Sequence, residues 1–161
     1  MKYPSNAKQL VELSVTKWFR KGLYPEGWDA GNQMKGAHAE CAAFIARFGD
    51  PDGIVRWYTD AKAKREEFGN DPKQRDGYDL IGKEADRIDA KWVPDYDQIW
   101  VTESTHKAST YTALAGVKFN EAMDEFEIYY ISRADFDAVA DAPRSNKLRV
   151  RLSECRKVDE L

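Results

Sequence analysis

The sequence predicts an α+β fold, a central sheet of mainly antiparallel or mixed pairing flanked by helices. Three observations lead there. Apolar residues recur at helical spacing over 6–20 and again over 35–48. From residue 78 onward the apolar residues fall in short runs and alternations of strand type. Only one later stretch, 132–140, carries a helical signal.

The elements follow in order. In 6–20, Leu10, Val11, Leu13, Val15, Trp18 and Phe19 form the stripe, and Ser5 or Asn6 supplies a cap. Residues 21–34 hold Gly22, Pro25, Gly27 and Gly31 and read as loop. The second helix carries Ala37, Cys41, Phe44, Ile45 and Phe48 on one face, and Asp50-Pro51-Asp52-Gly53 then turns the chain. Ile54–Thr59 reads as a strand, and 60–77 is charged with no apolar face. Two apolar patches, Tyr78–Ile81 and Ile88–Val93, flank a polar turn and suggest a hairpin. Strands are expected at 98–102, 110–119, 125–131 and 148–152, with a short helix over 132–140 that Ser132 caps.

At 161 residues the chain suits one domain, long enough to bury about two-thirds of its unfolded surface. It is 42% hydrophobic and 12% aromatic, which supplies a core and excludes wholesale disorder. With a net charge of -3 and a mean hydropathy of -0.71, no global basic field advertises nucleic acid, so any such contact is local. Cys41 and Cys155 are too few for a disulfide framework or a zinc knuckle. No signal peptide and no membrane-length apolar run is present, so the expectation is a cytoplasmic protein away from membranes. No Gly-rich phosphate cradle appears, which argues against a nucleotide cofactor. His38 and His106 stand alone in sequence, against a His-rich metal site.

The chemistry concentrates at Asp79 and Asp89-Ala90-Lys91. If 78–93 is a hairpin, Asp79 meets Asp89 across it and Lys91 points the same way as Asp89. Two carboxylates and an ammonium at one point are what metal-assisted phosphodiester cleavage needs. The pattern is short, however. Asp60-Ala61-Lys62 and Asp71-Pro72-Lys73 match it too, and Asp52 stands eight residues before Asp60. Around Asp89 the alternation is cleaner, with Ile88, Ala90 and Trp92 on one side. The same residues also fit a helical stripe through Ile81, Ala85, Ile88 and Trp92, which would turn Asp89 and Lys91 into solvated charges. Glu40 lies at the edge of the buried face of the second helix, where a carboxylate needs a partner or a metal. Lys35 and Arg47 are its nearest cations, and neither has the three- or four-residue spacing that pairs best.

Taken together, Gly36-Ala37-His38-Ala39-Glu40, the strand at 54–59, Asp79 and Asp89-Ala90-Lys91 resemble the PD-(D/E)XK, or restriction-endonuclease-like, nuclease superfamily. Trp100-Val101, Thr110–Gly116, Tyr130–Phe136 and Leu148–Leu152 extend the likeness to its small phage and bacterial members, over roughly residues 35–155. The resemblance implies a restriction-endonuclease-like core at 35–155, preceded by an N-terminal helical extension and loop at 1–34. It implies that Asp79 and Asp89 ligate Mg²⁺, or Mn²⁺ in its place, with the carbonyl of Ala90. Lys91 would position or deprotonate the attacking water, and Glu40 would orient Lys91, the water or a second metal. The sequence departs from the family in lacking the first motif's proline and an evident helix after the lysine strand.

DNA is the implied partner, and duplex cutting by this fold commonly uses a homodimer. DNA contacts are expected from Lys62, Lys64, Arg65, Lys73, Arg75 and Lys107, with Arg144 and Lys147 as further cations; a solvated charged face is the plain alternative for 60–77. Trp57, Trp92 and Trp100 read as core. Two competitors stand beside a site-specific nuclease. One is a structure-specific nuclease acting on branched or single-stranded DNA. The other is a non-catalytic phage-type accessory or inhibitor protein that binds a host protein or nucleic acid.

Overall fold

The N-terminus is tied to the start of a strand far along the chain. The Met1 ammonium donates to the carbonyl of Phe126 at 2.6 Å, and Phe126 N–H returns a bond to the carbonyl of Met1 at 2.8 Å. The computed structural model describes residues 1–22, 24, 26–49 and 77–161. The expected strand at 54–59, the two rival triplets, Trp57 and the cations Lys62, Lys64, Arg65, Lys73 and Arg75 lie outside the described residues.

Helix α1 (Ser5–Arg20) buries Ala7, Val11, Ser14, Val15 and Trp18, a single stripe at helical spacing. Helix α2 (Ala30–Phe48) starts earlier than the sequence suggests, because the Asp29 side chain accepts Asn32 N–H at 2.8 Å and caps it. It stops at Gly49, whose φ of 82° no β-carbon would favour. Residues 78–93 form the hairpin and not the helix: β1 (Leu80–Ile81) pairs antiparallel with β2 (Arg87–Trp92). There follow β3 (Gln98–Thr102), α3 (Glu103–Ala108), β4 (Ala113–Phe119), β5 (Phe126–Ser132), α4 (Arg133–Val139), β6 (Asp141–Arg144), β7 (Lys147–Arg151) and β8 (Arg156–Val158). The short α3, β6 and β8 are additions to the expected set. Among the described residues no helix is long and apolar enough to cross a membrane.

Two sheets result. The larger runs β1-β2-β4-β5-β8, with β2 and β4 parallel and its other neighbours antiparallel. The smaller is antiparallel, β3-β7-β6. The architecture is therefore α+β with a mixed sheet. Strand alternation divides the core in two. Ile88, Ala113, Ala115 and Val117 pack under α1 and α2, so the N-terminal helix shares the main core. Leu114 and Ile131 face the other way, onto Ile99, Val101 and Val150 of the small sheet and Phe136 of α4. The layers meet closely at Gly116, where an added β-carbon would stand 2.6 Å from Ile99 Cδ1. This stacking leaves a cleft at the β1 edge of β2, between the start of α2 and the small sheet.

Candidate active site

The hairpin register sets the site. Leu80 faces Ile88, and Asp79 N–H donates to the carbonyl of Ile88 at 2.8 Å, so Asp79 stands level with Asp89. Asp79 Oδ2 accepts the N–H of Ala90 at 2.8 Å, continuing the hairpin after its backbone pairing ends. A strand residue sends its N–H and C=O to the same edge, so the Ala90 carbonyl faces this side as well. Asp89 is buried, 8% exposed, on the face opposite Ile88 and Ala90. Lys91 Nζ lies 2.8 Å from each of its carboxylate oxygens.

Glu40 completes the group from α2. It is half-buried, and it has no hydrogen-bond or ion-pair partner among the described residues. Neither cation weighed as its partner takes that role: Arg47 donates to the carbonyl of Ile81 at 3.1 Å, and Lys35 has no ion pair among the described residues. Instead Glu40 acts on Asp79. Burial, then Glu40, then Asp89 push the Asp79 carboxyl well above its ordinary range, while Lys91 and the Ala90 N–H only partly offset them. Burial opposes the charge on Lys91, but Asp89 and Asp79 outweigh it and push the amine up to about 12. With every group ionised, Asp79 and Asp89 share the Lys91 ammonium and Glu40 adds its charge from the Asp79 side, so among these four groups two negative charges remain unbalanced. Among the described residues no three His, Cys, Asp or Glu side chains are drawn together as a ready-made metal cage. The donor set is instead two aspartates with a backbone carbonyl, and a cation at Asp89 has to compete with Lys91.

The acids form the floor of a cleft of about 620 Å³ whose lining includes Glu40, Asp79, Asp89, Ala90 and Lys91. Lys35, Arg144 and Lys147 stand on its rim, and Lys107 is not in the lining. Lys107 pairs instead with Glu103 along α3 at 2.7 Å. Trp100 is no core residue as expected: it is half-buried and lines the cleft, as does Trp92. Tyr96, which the sequence reading did not single out, projects into it from a turn, 61% exposed. Its sequence signal was slight, one aromatic residue in the polar run Pro94-Asp95-Tyr96-Asp97.

Both histidines sit buried in hydrogen-bonded pairs. His38 Nδ1 bonds the Tyr3 hydroxyl at 2.8 Å. His106 bonds the Tyr111 hydroxyl through Nδ1 and Asp137 through Nε2, the latter at 2.7 Å. Tyr111, raised to about 12 by burial and then by Asp89, packs behind the acid cluster. Compared with known proteins, the chain matches no family model and no curated protein.

Proposed function

We propose that the protein is a metal-dependent endonuclease that hydrolyses DNA phosphodiester bonds on a restriction-endonuclease-like core. The observation that carries this is the convergence of Asp79, Asp89 and Lys91 on the floor of one cleft, with Glu40, which has no ion-pair partner among the described residues, beside them. A hard divalent cation fits oxygen donors that hold more negative charge than their lysine balances. Asp79, Asp89 and the Ala90 carbonyl would hold Mg²⁺ or Mn²⁺, and the ion would supply Lewis-acid polarisation and an acidified water.

The chain's own groups do the rest. Lys91, an ammonium between two acids, donates hydrogen bonds and positive charge where negative charge grows on the phosphate. Without a metal on the two aspartates it holds its proton at Nζ and supplies charge balance; with one bound, it would position or deprotonate the attacking water. Glu40, with no cation partner among the described residues, orients Lys91 or the attacking water. Asp79 anchors β2 through Ala90 N–H and so fixes the spacing of the two aspartates.

Incubation with plasmid, linear and single-stranded DNA, in Mg²⁺ and in EDTA, tests the proposal. Cleavage is expected in Mg²⁺ only, and Asp89→Asn is expected to fall to background with an unchanged fold. Full activity in Asp89→Asn refutes the assignment.

A second reading has one observation in its favour. The Lys91 ammonium engages both oxygens of Asp89, as it would in a nuclease fold retained for binding alone. Calorimetric titration separates the two: Mg²⁺ binding that depends on Asp79 and Asp89 supports the nuclease, and its absence supports the non-catalytic accessory protein.

A further inference from the structure

The wall of the cleft opposite α2 is built differently from its acidic floor. Tyr96 is largely exposed, yet it is not on a loose loop. Asp97 N–H donates to the carbonyl of Pro94 at 3.1 Å, and the Asp97 carboxylate pairs with Lys118 at 2.5 Å. The Tyr96 ring meets Trp100 edge-on, 6.4 Å between centroids at 86°. Trp100 lies on β3 directly across from Arg149, and its flanking Ile99 and Val101 are buried, so it faces the cleft. Arg144 and Arg149 lie over its ring at 5.5 and 5.7 Å. The Trp100 indole N–H is buried with no hydrogen-bond acceptor among the described residues.

Part of the positive charge on this wall has no carboxylate partner among the described residues. Arg149 is held by Asp141 through two bonds of 2.7 and 2.9 Å, but Arg144 and Lys35 have no carboxylate partner among the described residues. Among the described residues Lys147 reaches only the Thr102 hydroxyl, at 2.9 Å. Elsewhere Lys83, Lys107 and Lys157 are paired with Glu160, Glu103 and Glu127. Cations with no carboxylate partner among the described residues, around the exposed Tyr96 ring and the half-buried Trp100, on a chain of net charge -3, fit a ligand with phosphates and flat apolar faces. In a duplex those faces are stacked on one another and unavailable; in an unpaired strand they are open.

We propose that Tyr96, Trp100, Arg144 and Lys147 form a subsite for an unpaired DNA strand, with a base stacked on Tyr96 and phosphates on the cations. Single-stranded DNA, or the unpaired arm of a branched molecule, is then the preferred substrate over plain duplex. The assignment rests on the nuclease reading for its consequence but not for its test. Binding is measured in EDTA by fluorescence anisotropy, using oligo-dT of about 12 nucleotides and a blunt duplex of equal length. The single strand is expected to bind tighter. Tyr96→Ala is expected to weaken it by about 5- to 150-fold while Tyr96→Trp preserves it. Arg144→Ala is expected to lower the salt slope of single-strand binding by about 0.7. Equal or tighter duplex binding, or an unchanged affinity in Tyr96→Ala, overturns the subsite. Single-strand binding with no cleavage in any metal upholds the subsite and removes the nuclease. Cleavage of duplex that Tyr96→Ala leaves untouched, with no single-strand preference, does the reverse. A flap substrate cut beside its unpaired arm identifies the branched form.

Discussion

Replacing Asp79 separates what the site costs from what it does. Asp79 plays two roles: its charge adds to a crowded negative cluster, and its Oδ2 satisfies the N–H of Ala90. Asp79→Asn removes the first and keeps the second, since the amide retains an acceptor oxygen and its NH₂ can donate to Glu40 or Asp89. Asp79→Ala removes both and leaves a buried backbone donor unsatisfied, a loss of about 1–3 kcal/mol relative to the Asn variant. For a chain of 161 residues that corresponds to a Tm gap of roughly 2–12 °C between the two. The sign with pH follows from the raised Asp79 carboxyl: the wild type loses stability as pH rises through that titration, because the folded state resists the charge. Asp79→Asn is therefore expected to exceed wild-type stability near pH 8, and the advantage disappears near pH 4. Urea unfolding at both pH values, with DNA cleavage assayed alongside, provides the check. Under the proposed function both variants are expected to lose cleavage. An Asn variant less stable than wild type near pH 8, or an Ala variant as stable as the Asn variant, refutes the crowding account.

Two other perturbations follow from the same geometry. Lys91→Met leaves Asp89 buried without its ammonium; with the lysine side chain 28% exposed, screening holds the loss to about 1–3 kcal/mol, read from the urea midpoint. No loss would mean that the ion pair contributes nothing to the fold. His38, lowered to about 4 by burial and then by Lys8, stays neutral in the fold while the unfolded chain takes up its proton at its ordinary 6.5. Its contribution is present above about pH 6.5 and lost as pH falls towards about 4, for about 3 kcal/mol in all. His38→Gln is expected to flatten the stability profile across that window, and an unchanged slope would point to another group.

Local pattern was sufficient for the long elements. The stripe of Val11, Val15 and Trp18 needed one buried face, and the alternation at Ile88-Asp89-Ala90-Lys91 favoured a strand without excluding a helix. In 78–93 the helical stripe lost because Gly82 N–H can close the turn onto the carbonyl of Asp86 at 2.9 Å, with Ala85 at a φ of 63°. The short elements were illegible for lack of pattern. Helix α3 buries only His106, and β6 is exposed throughout with Pro143 inside it, so both owe their existence to the neighbours they pair with. The early start of α2 lay in a single cap at Asp29, ahead of residues with poor helical tendency.

The sequence by itself determined the α+β order and the amphipathic edge on which Glu40 sits, because these depend on spacing within one element; for 78–93 it allowed both a hairpin and a helix, and the pairing of β1 with β2 decided between them. Only the tertiary structure decided that Glu40 acts on Asp79. It likewise decided that Trp100 leaves the core for a cleft wall, and that Tyr96, Arg144 and Lys147 gather there. These relations join residues dozens of positions apart, through the stacking of the small sheet on β4, and no local period encodes them.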